Sequence, residues 1–249
     1  MMLEDRSNFE NQELLYENPL QSEADTEDFV IEGEGLASFP RDRLRLESRY
    51  GYPSNEDVYP HFLCWCPETF PDEIAVSWDF YPIHEPGLAM FWFAARGQNG
   101  EHVLDDSLSE RNGRYGEDYG DSDINALHTS YFRRNTDVKT SNMSEERFGY
   151  YEREFQTVNL RKSKGLNPVM WGGDPIPGVA QANPPYRIRV VKYGPDVVFS
   201  VEDLEVYRWS DDGETHGPVL EGGSIGFRQM APLIAEYADL KVHSVEKVE

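Results

Sequence analysis

The residues best suited to chemistry lie in one predicted strand, Ile124–Arg134, with the sequence INALHTSYFRR. If Leu127 points into a hydrophobic core, alternation along the strand places His128 on the opposite, open face. Histidine transfers protons near neutral pH, so His128 is the candidate catalytic base or acid and Tyr131 is its candidate partner. Tyr131 alternates to the other face, and the pair therefore requires a β-bulge. The alternative is a structural histidine whose hydrogen bonds are satisfied inside the fold.

Arginine side chains on neighbouring predicted strands indicate a site for a carboxylate. Leu160 is the natural core residue of its strand, so Asn159 and Arg161 share the opposite face, and Arg228 takes the equivalent face of a later strand. An arginine forms paired, charge-assisted hydrogen bonds with a carboxylate. The predicted substrate-binding residues are therefore Arg134, Asn159, Arg161 and Arg228. The alternative is that these arginines pair with Asp and Glu side chains of the protein itself.

The distribution of charge supports an anionic ligand at one place in the chain. The formal net charge is -23, yet residues 133–164 hold eight basic and five acidic side chains. A local excess of positive charge in a strongly acidic chain favours binding of an anion there. A solvated charged loop is the alternative interpretation of the same segment.

The segments that must position these residues have the patterns of β-strands. Ile74–Tyr81 alternates apolar and polar residues, Leu88–Ala95 is apolar on both faces, and three short strands with tight turns follow from Tyr186. Aromatic residues make up 13% of the chain, and 20 Gly and 16 Pro supply turns. The prediction is an all-β sandwich of two antiparallel sheets with a concave groove. Residues 1–30 are predicted to be an acidic, partly mobile N-terminal extension, and residues 31–249 a single domain.

Net charge and hydropathy argue against several classes of partner. A charge of -23 and a sequence pI of about 4.5 repel nucleic acid and anionic membranes. No apolar run of about 18 residues is present, so no transmembrane helix is predicted. The first 30 residues are acidic, which is unlike a signal peptide, and a cytoplasmic protein is the expectation. The oligomeric state is not indicated by the sequence.

No metal or cofactor is predicted, with calcium as the alternative. Cys64 and Cys66 are too close in the chain for a relaxed disulfide and lack the neighbouring Cys or His of a zinc site, so they are predicted to be reduced thiols. Acidic residues in two loops could bind Ca²⁺ through oxygen atoms: Asp118, Asp121 and Asp123 in one, and Asp211, Asp212 and Glu214 in the other. Neither loop has the twelve-residue pattern of an EF-hand, and acidic loops usually stay solvated.

Five segments together resemble the YesU-like family of uncharacterised proteins. They are Trp78–Ile83, Asp123–Arg134, Asn159–Ser163, Gly173–Pro177 and Ile225–Leu233. The resemblance covers about residues 60–245 and implies a concanavalin-A-like (lectin/glucanase) jelly-roll β-sandwich. It also implies a sugar-related role, since members of the family accompany bacterial genes for the use of pectin and rhamnogalacturonan. It supplies no established reaction and no catalytic residues.

The combined expectation is a bacterial carbohydrate-active protein that acts on uronate-containing oligosaccharides of the rhamnogalacturonan or pectin type. Trp92 and Trp171 are the predicted platforms for sugar rings, whereas Trp65 and Trp78 are assigned to the core. Glycoside hydrolases of the laminarinase kind carry E-x-D-x-x-E on one strand, and this chain lacks that motif. Whether the protein is an enzyme stays open. A glycoside hydrolase or polysaccharide lyase is the leading interpretation, and a non-catalytic, lectin-like carbohydrate-binding module is the alternative.

Overall fold

The computed structural model describes residues 9–51, 59–134 and 157–248, and these residues form two antiparallel sheets. The strands in chain order are β1 (Phe9–Asn18), β2 (Val30–Gly33), β3 (Gly35–Ser38), β4 (Leu44–Ser48), β5 (Phe62–Phe70), β6 (Ile74–His84), β7 (Gly87–Gly97), β8 (Ile124–Arg134), β9 (Thr157–Lys162), β10 (Asn167–Gly173), β11 (Tyr186–Tyr193), β12 (Asp196–Val201), β13 (Leu204–Ser210), β14 (Gly223–Met230) and β15 (Ile234–Lys247). A short helix, α1 (Tyr115–Tyr119), precedes β8. Within the described ranges, no helix is long and apolar enough to cross a membrane.

Strands that follow one another in the chain often lie in different sheets. Sheet A has the order β13-β12-β11-β6-β15-β4-β3, and β1 also pairs with β15. Sheet B has the order β10-β9-β8-β7-β14-β5-β2. The predicted all-β sandwich of two antiparallel sheets is confirmed.

Alternation along the strands builds the core between the two sheets. Trp78 and Phe80 point inwards from sheet A, and Phe91 and Phe227 point inwards from sheet B. The ring centroid of Trp78 lies 4.3 Å from that of Phe91 and 5.5 Å from that of Phe227. Each buried aromatic pair contributes about 0.5–1.5 kcal/mol beyond the burial of its area. This packing fixes the inner face of sheet B, and it therefore also fixes the outer face, which is turned away from sheet A.

The first described residues belong to sheet A, which corrects the boundary predicted at residue 30. β1 pairs with the C-terminal half of β15 over Phe9–Asn18, and the Phe9 and Leu20 side chains are buried. Most other side chains of β1 are exposed. A strand held mainly by backbone hydrogen bonds carries no alternating hydrophobic pattern, and this is why the sequence suggested a separate extension.

The long segment between β7 and β8, residues 98–123, folds over part of the outer face of sheet B, and we call it the cover. It contributes apolar side chains to a second hydrophobic cluster. These side chains are Val103, Leu104, Leu108, Tyr115 and Tyr119, and they pack against Leu63, Trp65, Met90 and Trp92 of the sheet. The predicted concave groove is therefore filled along the strands β5, β14 and β7.

Hydrogen bonds and an ion pair fasten the cover to strand β2. The Arg111 guanidinium donates to the Glu32 carboxylate, with 2.7 Å between Nη2 and Oε1. The Tyr119 hydroxyl donates to the other oxygen of Glu32 at 2.7 Å. Gly113 has a φ of +84°, and a Cβ there would lie 2.3 Å from the backbone oxygen of His61. Only glycine fits this backbone position without displacing the chain.

The two cysteines and the loop residue Asp118 each have a structural role. Cys64 and Cys66 are buried thiols in the core, and burial raises the pKa of Cys64 to about 12 and that of Cys66 to about 11. The Asp118 carboxylate accepts the backbone N–H groups of Asn112 and Arg114. In the part of the chain that the structure describes, no three His, Cys, Asp or Glu side chains are grouped so that they could hold a metal ion.

Candidate functional site

Two rows of side chains cross the outer face of sheet B, because directly paired residues of neighbouring strands share a face. One row runs through Trp65, Gly226, Trp92, His128 and Arg161. The other runs through Glu32, Leu63, Arg228, Met90, Ser130, Asn159 and Trp171. The register therefore brings His128, Asn159, Arg161 and Arg228 to one face, as alternation along each strand predicts.

His128 lies in the middle of these rows, under the edge of the cover. Its ring stacks on Trp92, with centroids 4.3 Å apart and an interplanar angle of 8°. Its Nε2 atom lies 2.9 Å from the hydroxyl oxygen of Tyr115 in the cover. Complete burial, followed by the positive charges of Arg161 and Arg228, holds the pKa of His128 well below its usual range. The imidazole is therefore neutral at physiological pH.

Arg228 is a fully buried cation without a carboxylate partner among the described residues. Its Nη2 atom donates to the backbone oxygen of Gly113 at 2.6 Å. The guanidinium lies over the rings of Tyr115 and Tyr119, at 5.4 Å and 4.9 Å from their centroids. Its Nε and Nη1 atoms are buried and have no hydrogen-bond partner in the described structure. A buried charge is costly unless it is paired, so this position fits an anion.

Arg161 and Asn159 extend the site towards the edge of the sheet. Arg161 is partly exposed, and its Nη1 atom donates to the backbone oxygen of Leu166 at 2.8 Å. The Asn159 Oδ1 atom is buried and has no partner among the described residues. Trp171 pairs with Asn159 on the edge strand β10, and 55% of its surface is exposed. We call His128, Tyr115, Arg161, Arg228 and Asn159 the arginine–histidine site.

Trp92, predicted to stack on a sugar ring, and Tyr131, predicted to assist His128, both lie outside the arginine–histidine site. Trp92 is fully buried between His128 and the cover, so it offers no face to a sugar ring. Tyr131 points into the core between the sheets, where its hydroxyl accepts a hydrogen bond from Trp78 Nε1 at 3.2 Å. The register of β7 and β8 continues unbroken from His128 to Tyr131, so no bulge brings them together. The structure places Tyr115, not Tyr131, beside His128.

Arg134 also lies outside the arginine–histidine site. Its Nη1 atom is 2.9 Å from a carboxylate oxygen of Asp174, and its Nε atom is 3.6 Å from Glu85. The side chain is buried over the ring of Phe132, whose positive φ of 47° interrupts the alternation of β8. For Arg134, pairing with the protein's own carboxylates is the correct interpretation. Residues 135–156 of the basic segment 133–164 lie outside the described residues.

Tyr115 is the residue that sequence reasoning missed. It stands in a long segment rich in Gly and Asp, thirteen residues before His128, and no periodic pattern links it to the strands. Its position depends on the packing of the cover over Trp92 and on the fastening of the cover to Glu32. Burial raises the pKa of Tyr115, so its hydroxyl keeps its proton at neutral pH.

A large cavity of the described structure lies away from this site. It has a volume of about 560 Å³ and lies between β2 and residues 103–112 of the cover. Its lining includes Glu32, Glu34, Asp105, Asp106 and Glu110, with Arg111 already bound to Glu32. This acidic lining repels an anionic ligand, so the cavity is not an alternative carboxylate site.

His61 supports the edge of the cover and makes stability depend on pH. Its Nδ1 atom accepts a hydrogen bond from the backbone N–H of Ala231 at 3.0 Å, and burial lowers its pKa from 6.5 to about 4. Between these values the unfolded chain binds more protons than the folded one, so stability falls as the pH falls from 6.5 towards 4. We expect this residue to account for a loss of about 1–2 kcal/mol in the free energy of unfolding between pH 6.5 and 5.

Chemical denaturation of the wild type and of His61→Gln at both pH values measures this contribution. The loss between the two pH values should be smaller in the variant, because glutamine does not titrate. The exposed His84→Gln is the matched control and should behave as the wild type. Equal losses in wild type and His61→Gln would show that His61 does not carry the effect.

The fold is shared with solved structures of distant sequence. A prokaryotic β-1,3-1,4-glucanase (lichenase) from a mouse hindgut metagenome superposes with a TM-score of 0.56 at 10% identity, covering 92% of this chain and 98% of its own. At this level of identity the similarity establishes the architecture alone. The concanavalin-A-like sandwich is thus also found in a protein named as a glucan-cleaving enzyme.

A named relative and a solved structure are each similar in sequence to almost the whole chain. The uncharacterized protein YesU of Bacillus subtilis is 48% identical over 229 residues, which is 92% of this chain and 94% of the relative. A crystal structure described as a protein of unknown function with a galectin-like fold, also from Bacillus subtilis, has a TM-score of 0.84 and 45% identity, covering 96% of this chain and 99% of its own. Residues 13–242 match the family described as a domain of unknown function, DUF1961. The chain therefore belongs to the DUF1961 family of YesU-like proteins.

Proposed function

We propose that the protein binds a uronate-containing oligosaccharide of the pectin or rhamnogalacturonan type at the arginine–histidine site and cleaves it by β-elimination. The observation that carries the proposal is the pair of arginines around a neutral histidine. Arg161 and Arg228 have no carboxylate partner among the described residues, and His128 between them contacts a tyrosine hydroxyl. A carboxylate of the ligand supplies the missing negative charge.

The arrangement has the groups that an elimination needs. Binding of the uronate carboxylate by the two arginines neutralises its charge, so the proton on the adjacent ring carbon becomes more acidic. In the tautomer whose Nε2–H donates to Tyr115, the Nδ1 atom of His128 has a lone pair and takes that proton. The carbon–oxygen bond to the neighbouring sugar breaks as the carbon–carbon double bond forms, and the leaving oxygen takes the proton of the Tyr115 hydroxyl. His128 then returns a proton to Tyr115 across the 2.9 Å contact.

Hydrolysis by two carboxylates is less well supported. Such enzymes place two carboxyl groups about 5–9.5 Å apart on either side of the scissile bond. Among the described residues of the two rows, Glu32 is the single carboxylate, and Arg111 and Tyr119 already bind it. The polar groups near His128 favour elimination over this mechanism.

Non-catalytic binding is the second candidate function, and one observation favours it. His128 and Arg228 are both fully buried, whereas Trp171 is exposed at the edge of the same face. A ligand held by Arg161 and Trp171 alone would be retained without reaching His128. Incubation with galacturonate–rhamnose oligosaccharides distinguishes elimination from binding alone, with products detected by mass spectrometry and by the absorbance of the unsaturated sugar. New unsaturated products support elimination. Retained ligand without turnover supports binding alone.

The charge of the ligand is tested by exchanging arginine for lysine. Lysine keeps the positive charge but loses the planar fork, so Arg161→Lys and Arg228→Lys should each weaken binding of an acidic oligosaccharide by about 1.5–3 kcal/mol. Calorimetric titration with an acidic and a neutral oligosaccharide measures the change. Binding of the neutral oligosaccharide should be unaffected, because it has no carboxylate to hold.

The matched control for this titration is Arg208→Lys. Arg208 lies on β13 of sheet A and pairs with Glu205, away from the outer face of sheet B. Its exchange should change neither affinity. Unchanged affinity for the acidic oligosaccharide in both site variants would refute the carboxylate site and assign the two arginines a structural role.

A further inference from the structure

The arginine–histidine site is closed on one side by the cover. Over β5, β14 and β7, the cover leaves Trp65, Trp92 and Arg228 without exposed surface. Tyr115 and Tyr119 stand at the boundary, beside His128 and Arg228. A sugar chain that crossed the whole outer face would have to pass through these side chains.

The part of the cover that closes this side is firmly held by the rest of the fold. Gly33 and Gly113 both lie against the backbone oxygen of His61, where a Cβ would be at 2.5 Å and 2.3 Å. The Gly113 carbonyl accepts the hydrogen bond of Arg228, and Arg111 holds Glu32 with side chains that are almost fully buried. Displacing the cover therefore breaks the buried ion pair of Arg111 and Glu32, and it leaves Arg228 without its backbone partner.

On the opposite side of the site, exposed surface is found at β9 and β10. Arg161 on β9 is partly exposed, and Trp171 on β10 exposes 55% of its surface. Trp171, Asn159 and Ser130 are aligned on three adjacent strands. Asn159 and Ser130 are themselves buried, so the exposed part of this side lies at Arg161 and Trp171. The ligand therefore approaches from β10, and its end meets Tyr115.

We infer that the site takes the terminal uronate residue of an oligosaccharide, with the next sugar on Trp171, and does not take an internal segment of a chain. This inference rests on the proposed function. The bond that an elimination breaks joins the uronate ring to the sugar on its non-reducing side. Because that sugar lies towards Trp171, the residue enclosed at Tyr115 is the reducing-end residue. Cleavage releases it as an unsaturated monosaccharide and leaves the rest of the chain with a new reducing end.

Two oligosaccharides of equal length test the inference by calorimetric titration and by mass of products. Both contain alternating galacturonate and rhamnose; one ends in galacturonate at its reducing end and the other in rhamnose. We expect the galacturonate-ended chain to bind at least about tenfold more tightly and to yield the unsaturated monosaccharide as the first product. Arg228→Lys should remove most of this preference.

The outcomes separate this inference from the proposed function. Equal affinity for the two oligosaccharides, with both weakened by Arg228→Lys, would overturn terminal recognition and leave the carboxylate site intact. No binding of either oligosaccharide would overturn both. A preference that Arg228→Lys does not change would place the terminal residue elsewhere and overturn the inference.

The role of Trp171 is tested by shortening the ligand. Trp171→Ala should weaken binding of a rhamnose–galacturonate disaccharide several-fold and leave binding of galacturonate alone unchanged, because only the second sugar reaches β10. Leu204→Ala, another exposed apolar residue but on sheet A, is the matched control. If Trp171→Ala weakened both ligands equally, or neither, the second sugar would not lie on Trp171.

Discussion

Removing the hydroxyl of Tyr115 or the imidazole of His128 should lower the rate of uronate cleavage by about 10²–10⁴-fold, the usual contribution of a positioned acid or base. The two groups lie 2.9 Å apart and act in one proton transfer sequence. Tyr115→Phe keeps the ring beside Arg228, and His128→Asn keeps a polar group in the buried position. Steady-state kinetics on a galacturonate–rhamnose oligosaccharide measures both variants.

The double variant and the pH profile distinguish catalysis from support of the fold. Because groups that act as a unit are not additive, Tyr115→Phe with His128→Asn should be about as slow as either single variant. Burial and two arginines hold the pKa of His128 well below its usual range, so kcat/KM of the wild type should stay level as the pH falls through 6.5 and decline at lower pH. Single variants with full activity would exclude the pair from catalysis.

Breaking the buried ion pair of Lys162 should cause a large loss of stability. Its Nζ atom lies 2.6 Å from the Asp211 carboxylate and also donates to the backbone oxygens of Gly217 and Pro218. Lys162→Met leaves Asp211 buried and without its cation, which costs about 3–5 kcal/mol in the free energy of unfolding. Chemical denaturation at neutral pH measures this loss.

An exposed ion pair supplies the control for Lys162. Arg114 and Glu117 lie 2.8 Å apart with both side chains largely exposed, so Arg114→Ala should cost at most about 1 kcal/mol. Replacing both partners, with Lys162→Met and Asp211→Leu, should recover part of the lost stability because no charge is then left buried. A single variant as stable as the wild type would show that the pair contributes nothing to the fold.

Lys162 also shows the limit of counting charges along the chain. It contributes to the positive segment 133–164 that suggested an anionic ligand, yet it is committed to Asp211. Arg134, in the same segment, is committed to Asp174. Arg161, a further member of that segment, has no carboxylate partner among the described residues and remains available to a ligand. Sequence records the number of charges, whereas pairing across the fold determines which of them remain available.

Alternation along each strand is enough to predict which residues share the outer face of sheet B. The side-chain period of a strand is two, so one core residue in each strand, such as Leu127, Leu160 or Phe227, places His128, Arg161 and Arg228 on the opposite side. The two-sheet sandwich followed from the same local pattern and from the abundance of aromatic and turn-forming residues. These features depend on neighbouring residues along one strand, and local sequence contains them.

Local patterns do not predict which part of that face is covered or which partner His128 has; both depend on packing between segments that are distant in the chain. The cover lacks any periodic pattern, and its position follows from contacts that are distant in the chain: Arg111 and Tyr119 with Glu32, and Gly113 with His61 and Arg228. Such contacts are fixed when the apolar side chains of the cover are buried against the sheet, which depends on the whole fold. That packing buries Trp92, replaces Tyr131 by Tyr115 beside His128, and leaves Trp171 exposed at the open end of the site.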